Sequence, residues 1–266
     1  MSVISNLGTS TEIEILKNVV NLMDDLSELT CDKNFFVVGK NAVLTQCIIN
    51  SVVLTGQSIV CCCENGCIAD ANMLTRKYRD DIFFFLYIIC YDRLIVSEPD
   101  NEKDIETMGK NILLWNNNNL SNLDTNMVLK AIAKIKMLNP AVEKYNLKIT
   151  FLAIGRRLNN YVHGNGKKFY NYRVWKGNQE EYLKQLNSLL DDLKYITTVF
   201  LFLLILCAPY YVSSTDYVDC LESGDNPPAE SQYWVAPFIE EFIKENIGLI
   251  DESCHAYLKE NTCMQI

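Results

Sequence analysis

The chain has 266 residues, 49% of them hydrophobic, with six prolines and 11 glycines; this supports a substantial core and excludes a loop-rich or disordered chain. Its 24 basic and 33 acidic residues leave a net charge of −9, which excludes coating of nucleic acid by the whole surface and confines any such contact to a local patch. Eleven cysteines, an odd number that includes the run Cys61-Cys62-Cys63, exclude a regular disulfide framework, and Met1-Ser2-Val3-Ile4-Ser5 lacks a secretory pattern, so reduced thiols in a cytoplasm are expected.

In chain order, Thr9-Ser10-Thr11-Glu12 offers caps for a helix over about 11–29, striped by Ile13, Leu16, Val19, Val20 and Met23. Asp32-Lys33-Asn34 is a turn, and Phe35-Phe36-Val37-Val38 a short apolar link. The stretch from Lys40 to Cys62 reads as a broadly buried helix, with a strand pair as the alternative because β-branched residues are frequent; Glu64-Asn65-Gly66 stops it. A zinc site at Cys61, Cys62, Cys63 and Cys67 lacks a second Cys/His pair at zinc-finger spacing, so these read as ordinary thiols and no metal or cofactor is expected. A long helix follows from Cys67 to Val96, amphipathic at first and apolar on every side from Ile82 to Tyr91, a run too short to span a bilayer. Arg76, Arg79, Asp80 and Asp81 precede that run as a polar face, either internally paired or turned toward a functional site. Further helices are expected over about 103–115, 125–137, 147–163, 180–207, 236–246 and 250–260, with 213–231 as a loop. Within 147–163, Ile149, Leu152, Ala153 and Leu158 are the buried candidates. Tyr195 to Val212 is 18 residues without a charge; Pro209 and the absence of a flanking positive cluster make it the central helix of a bundle, with a membrane anchor through 195–212 as the alternative. The expected fold is all-α, a single helical domain over 1–266 built on long core helices.

One stretch carries chemistry. In Ile154-Gly155-Arg156-Arg157-Leu158-Asn159-Asn160-Tyr161-Val162-His163-Gly164-Asn165-Gly166, the residues Arg156, Asn159, Asn160 and His163 fall at i, i+3, i+4 and i+7 and share one helix face. Gly164 and Gly166 leave the imidazole at the helix tip. Arg forks onto phosphate and His moves protons near neutral pH, so the stretch suits a phosphate site. From Lys144 to Gln179 there are eight Lys or Arg and no Asp or Glu; removing those eight leaves 16 basic against 33 acidic residues elsewhere, a net of −17. Aromatics are interleaved, so Lys167, Lys168, Tyr170, Arg173 and Trp175 are the candidate RNA-binding residues, against the plainer interpretation of a solvated basic loop.

Arg157, five residues and His163, or Arg156, six residues and His163, resemble the Arg–His signature of the HEPN superfamily, with Leu158 standing where that family usually has a polar residue. Ser231-Gln232-Tyr233-Trp234-Val235-Ala236-Pro237-Phe238 is similar to uncharacterised bacterial proteins with such motifs. The resemblance implies a HEPN-like core over about 40–212 with helical extensions at 1–38 and 213–266. It implies a metal-independent endoribonuclease acting as a homodimer, as a toxin or anti-phage effector, with an antitoxin or another defence protein as a further partner. His163 would be the acid or base, Arg156 or Arg157 the phosphate-stabilising cation, and Asn159 or Asn160 the orienting amide. A non-catalytic module of the same kind, binding RNA, nucleotide or a protein partner, is the alternative.

Overall fold

The computed structural model describes residues 11–120, 125–170 and 179–266, apart from the side chains of Thr125 and Gln179. It is built almost wholly of helices. In order these are α1 (Thr11–Leu29), α2 (Gln46–Glu64), α3 (Ile68–Ser97), α4 (Glu102–Asn116), α5 (Thr125–Ile132), α6 (Asn139–Lys144), α7 (Leu147–Val162), α8 (Gln179–Cys207), α9 (Asp216–Ser223), α10 (Pro237–Asn246) and α11 (Cys254–Asn261). Between α1 and α2 sits one antiparallel hairpin, β1 (Phe35–Val38) and β2 (Asn41–Leu44), in the register Phe35 opposite Leu44 and Val38 opposite Asn41.

α3 and α8, the two longest helices, form the centre because the stretch Ile82–Tyr91 of α3 and the C-terminal half of α8 leave no polar face to turn outward. From Ile82 to Tyr91 every residue of α3 except Phe84 is buried, and in α8 every residue from Ile196 to Ala208 is. Each large aliphatic or aromatic side chain buried this way contributes about 1.5–3 kcal/mol. The few polar atoms at this depth are paired: the Tyr78 hydroxyl and Thr197 Oγ1 lie 2.8 Å apart, and Thr198 Oγ1 donates to the Lys194 carbonyl. The Cys90 and Cys207 thiols meet at 3.6 Å across the same interface. The strongly apolar part of the 195–212 run, Ile196 to Ala208, is therefore enclosed by protein, whereas Tyr210 is 40% exposed. Among the described residues, α2 alone is long and apolar enough to cross a membrane, and half of its apolar window is buried against neighbours.

Several boundaries differ from those expected. Lys40–Leu44 is not the start of α2. Gly39 takes φ +63° as the first turn residue, the place where a type II′ hairpin turn uses glycine, and closes β1 onto β2. Phe36, Val38 and Val43 point into the core; Phe35, Val37 and Leu44 face out, 58%, 61% and 62% exposed. α5 stops at Ile132 rather than running to Met137. The buried Glu98 carboxylate accepts from the Lys136 backbone N–H, and Asn139 Nδ2 donates to the Ala133 carbonyl, so side chains take groups that a continued helix would use. The 213–231 segment contains α9.

Candidate functional site

α7 begins after Asn146, which takes φ +50°, and buries Leu147, Phe151, Ile154 and Leu158, a 4-3-4 spacing that forms one stripe. Phe151 anchors that stripe edge-on to Phe83 of α3, ring centroids 4.5 Å apart, and contacts Tyr195 of α8 at 5.9 Å. Of the residues expected inside, Leu158 is buried, but Ile149 is 66% exposed and Ala153 also faces solvent; they lie on the opposite, outward stripe.

The outward stripe continues through Arg156 and Asn160 to His163. Arg156 and His163 are exposed, and among the described residues neither side chain makes a hydrogen bond or ion pair. The helix ends by a Schellman arrangement: the Gly164 N–H donates to the Tyr161 carbonyl, and the Asn165 N–H to the Asn160 carbonyl at 3.0 Å. Gly164 takes φ +57°, and a Cβ there would collide with the Tyr170 hydroxyl, so glycine is required twice over. That closure presents His163 at the C-cap. Asn165 Nδ2 donates to Asn160 Oδ1 at 3.2 Å and ties the loop to the stripe, while Asn159 Oδ1 is buried without a partner among the described residues.

The two arginines have different fates. Arg157, about 100° round the helix from Arg156, pairs with the buried Asp192 of α8. Burial pushes the Arg157 guanidinium below its ordinary value and the neighbouring Tyr161 phenol above its own. On the other flank, Arg79 of α3 is buried and forks onto Asp80 through Nε and Nη2, at 3.0 and 2.7 Å, with Nη1 against the α7 backbone at Gly155. Of the polar face on α3, Arg79 thus reaches the motif helix. Lys77 instead pairs with Asp81, and Arg76 lies 3.7 Å from Asp80.

Beyond the tip, Lys167, Lys168 and Tyr170 are exposed in a short 3-10 turn and the residue after it. Phe169 packs edge-on against Tyr161 at 5.0 Å, and Lys168 Nζ lies 5.0 Å from the Phe169 ring, so part of the basic aromatic segment folds back onto α7. Arg173 and Trp175 lie outside the described residues. Arg79 belongs to the polar face that the sequence offered as a candidate neighbour, whereas Asp192 is the neighbour that a motif search passes over; its signal was a pair of acids, Asp191 and Asp192, within the Leu186, Leu189, Leu190, Leu193 stripe. Comparison with family models, with curated proteins and with solved structures finds no match.

Proposed function

We propose that the tip of α7 is a metal-independent, HEPN-like endoribonuclease site. His163 is the proton-transfer group, Arg156 the phosphate-binding cation, and Arg157 a structural partner of Asp192. The observation that carries this reading is the contrast between the arginines: Arg156 shares the solvent-facing stripe of His163 without a partner among the described residues, whereas Arg157 is committed to α8. In the reaction, a base takes the 2′-OH proton, the 2′-oxygen attacks phosphorus, and the P–O5′ bond breaks as the 5′-oxygen accepts a proton. The products are a 2′,3′-cyclic phosphate and a 5′-hydroxyl. Lys167, Lys168 and Tyr170 would hold the strand.

Seven residues at 1.5 Å rise put Arg156 about 10 Å from His163 along the helix, so one phosphate within one copy would need both side chains extended toward each other. An antiparallel two-fold pairing of α7 helices, centred between Asn159 and Asn160, would set Arg156 of one copy beside His163 of the other. The exposed Ile149 and Ala153 on the same stripe suit such pairing. A cytoplasmic setting and an antitoxin-like or other defence partner belong to this proposal. The test is cleavage of single-stranded RNA by the purified chain in EDTA. We expect His163→Ala to lower the rate at least about 100-fold and Arg156→Ala at least about tenfold. Full activity of His163→Ala overturns the proposal.

A second reading is favoured by the Arg157–Asp192 pair itself, which takes one candidate arginine out of service: a non-catalytic module that binds RNA without cutting it. RNA retained but uncut by the wild-type chain, and lost on Lys167→Glu/Lys168→Glu, would select it.

A further inference from the structure

A second site lies in the C-terminal quarter, where the sequence singled out Ser231–Phe238. Three short segments run side by side there. The Ser214 N–H donates to the Trp234 carbonyl at 2.8 Å, the Ala236 N–H to Val212 at 2.9 Å, and the Gln265 N–H to Tyr233 at 2.8 Å. This arrangement carries Trp234, half-buried, to the wall of an open cavity of about 600 Å³ that no residue of α7 lines. The buried Met264 and Ile266 give the cavity apolar surface. Such a volume accommodates a small molecule.

The charges around this cavity are set apart. Asp216, at the start of α9, accepts a hydrogen bond from the Ser214 hydroxyl but has no cationic partner among the described residues. Lys259 of α11 has no anionic partner among them either. Both groups line the same cavity, yet they stand too far apart to pair with each other; Glu240, also at the cavity, is instead paired with Lys244. A solvent-exposed carboxylate and a solvent-exposed ammonium at the rim of a cavity walled in part by Trp234, Met264 and Ile266 are complementary to a molecule with the opposite charges on an apolar body.

We propose that this cavity binds a zwitterionic ligand, an amino acid or short peptide with a large apolar side chain. Its ammonium faces Asp216, its carboxylate faces Lys259, and its side chain packs on Trp234 over Met264 and Ile266. A charge-assisted contact at each end gives recognition of both termini, and the indole face gives preference for aromatic or branched side chains.

The test is calorimetric titration of the full chain with phenylalanine, phenylalaninamide, N-acetylphenylalanine and the dipeptide Phe-Phe. At least one of the two zwitterions should bind with Kd of about 1 mM or tighter. The derivatives of phenylalanine that lack one charge should bind about tenfold more weakly. The tighter of phenylalanine and Phe-Phe assigns the site to free amino acids or to peptides. Asp216→Asn should abolish the distinction between phenylalanine and its N-acetyl form, and Lys259→Met that between phenylalanine and its amide. Absence of saturable heat from both zwitterions up to about 20 mM overturns the proposal. So does equal binding of the neutralised derivatives by the wild-type chain, or unchanged discrimination in both variants.

Discussion

Arg157 and Arg156 are adjacent in sequence and opposite in physical role. The buried Asp192 carboxylate loses its counter-charge if Arg157 is truncated, and an unpaired buried charge is the costly half of any ion pair. With Arg157 itself partly in solvent, Arg157→Ala is expected to reduce unfolding free energy by about 1–3 kcal/mol. Arg156→Ala should change it by less than about 0.5 kcal/mol. Urea denaturation separates the two; equal losses would remove the structural role assigned to Arg157. A single carboxyl also makes a pH prediction. Burial raises Asp92 above the usual carboxylate range, partly offset by Arg93. A carboxyl that binds its proton more tightly when folded opposes folding once it ionises. The cost is absent below the unfolded value, grows as pH rises through the folded value and persists above it. Asp92→Asn should therefore raise the melting temperature at pH 7 and leave it unchanged near about pH 3. An equal shift at both pH values would rule out ionisation as the cause.

At the level of elements, the glycine of α7 inverts the usual rule. An alanine in a helix interior is worth about 1 kcal/mol over glycine. At Gly155, however, a Cβ would lie 2.5 Å from Arg79 Nη1, and that guanidinium is buried and forked onto Asp80. Gly155→Ala should therefore destabilise by about 1 kcal/mol instead of stabilising, and should recover the helix-propensity gain in an Arg79→Ala background. Denaturation of the single and double variants reads this directly. The same elements show what the sequence made legible. α3 and α8 were readable because long apolar runs leave a helix only one place to be. α1 was readable from its stripe; the caps expected at Thr9 and Ser10 lie outside the described residues. α9 was not, because at eight residues its apolar side is only Tyr217, Val218 and Leu221, too short a run beside Gly224-Asp225-Asn226-Pro227-Pro228 to separate a helix from a loop. The hairpin was obscured because β1 and β2 are four residues each and apolar on both faces, without the alternation that marks a half-buried strand. For the motif helix, periodicity put Arg156, Asn160 and His163 on one face. It could not tell which arginine was free, since the deciding partner, Asp192, lies 35 positions away on α8.

Over the whole molecule, basic residues concentrate between Lys144 and Lys176 of an otherwise acidic chain, with Lys167 and Lys168 exposed beyond the end of α7. On the proposed reading, RNA binding at that end weakens with salt as condensed ions are displaced, and Lys167→Ala/Lys168→Ala should lower the slope of log affinity against log salt by roughly 1.4 if both contact phosphates of a single strand. Filter binding between low and moderate salt measures it; an unchanged slope would take both lysines out of the interface. The hairpin has a consequence of a different order. A two-stranded ribbon has bare rims on either side, and here the outward surface carries Phe35, Val37 and Leu44. Charge sits only at its ends, Lys33 before β1 and Lys40 in the turn, and neither strand itself carries the charge or proline that ordinarily discourages ribbons from pairing edge to edge. Concentrated solutions should therefore grow turbid through this ribbon before the helices begin to melt, and Val37→Lys should delay the onset of light scattering while leaving the melting temperature where it was.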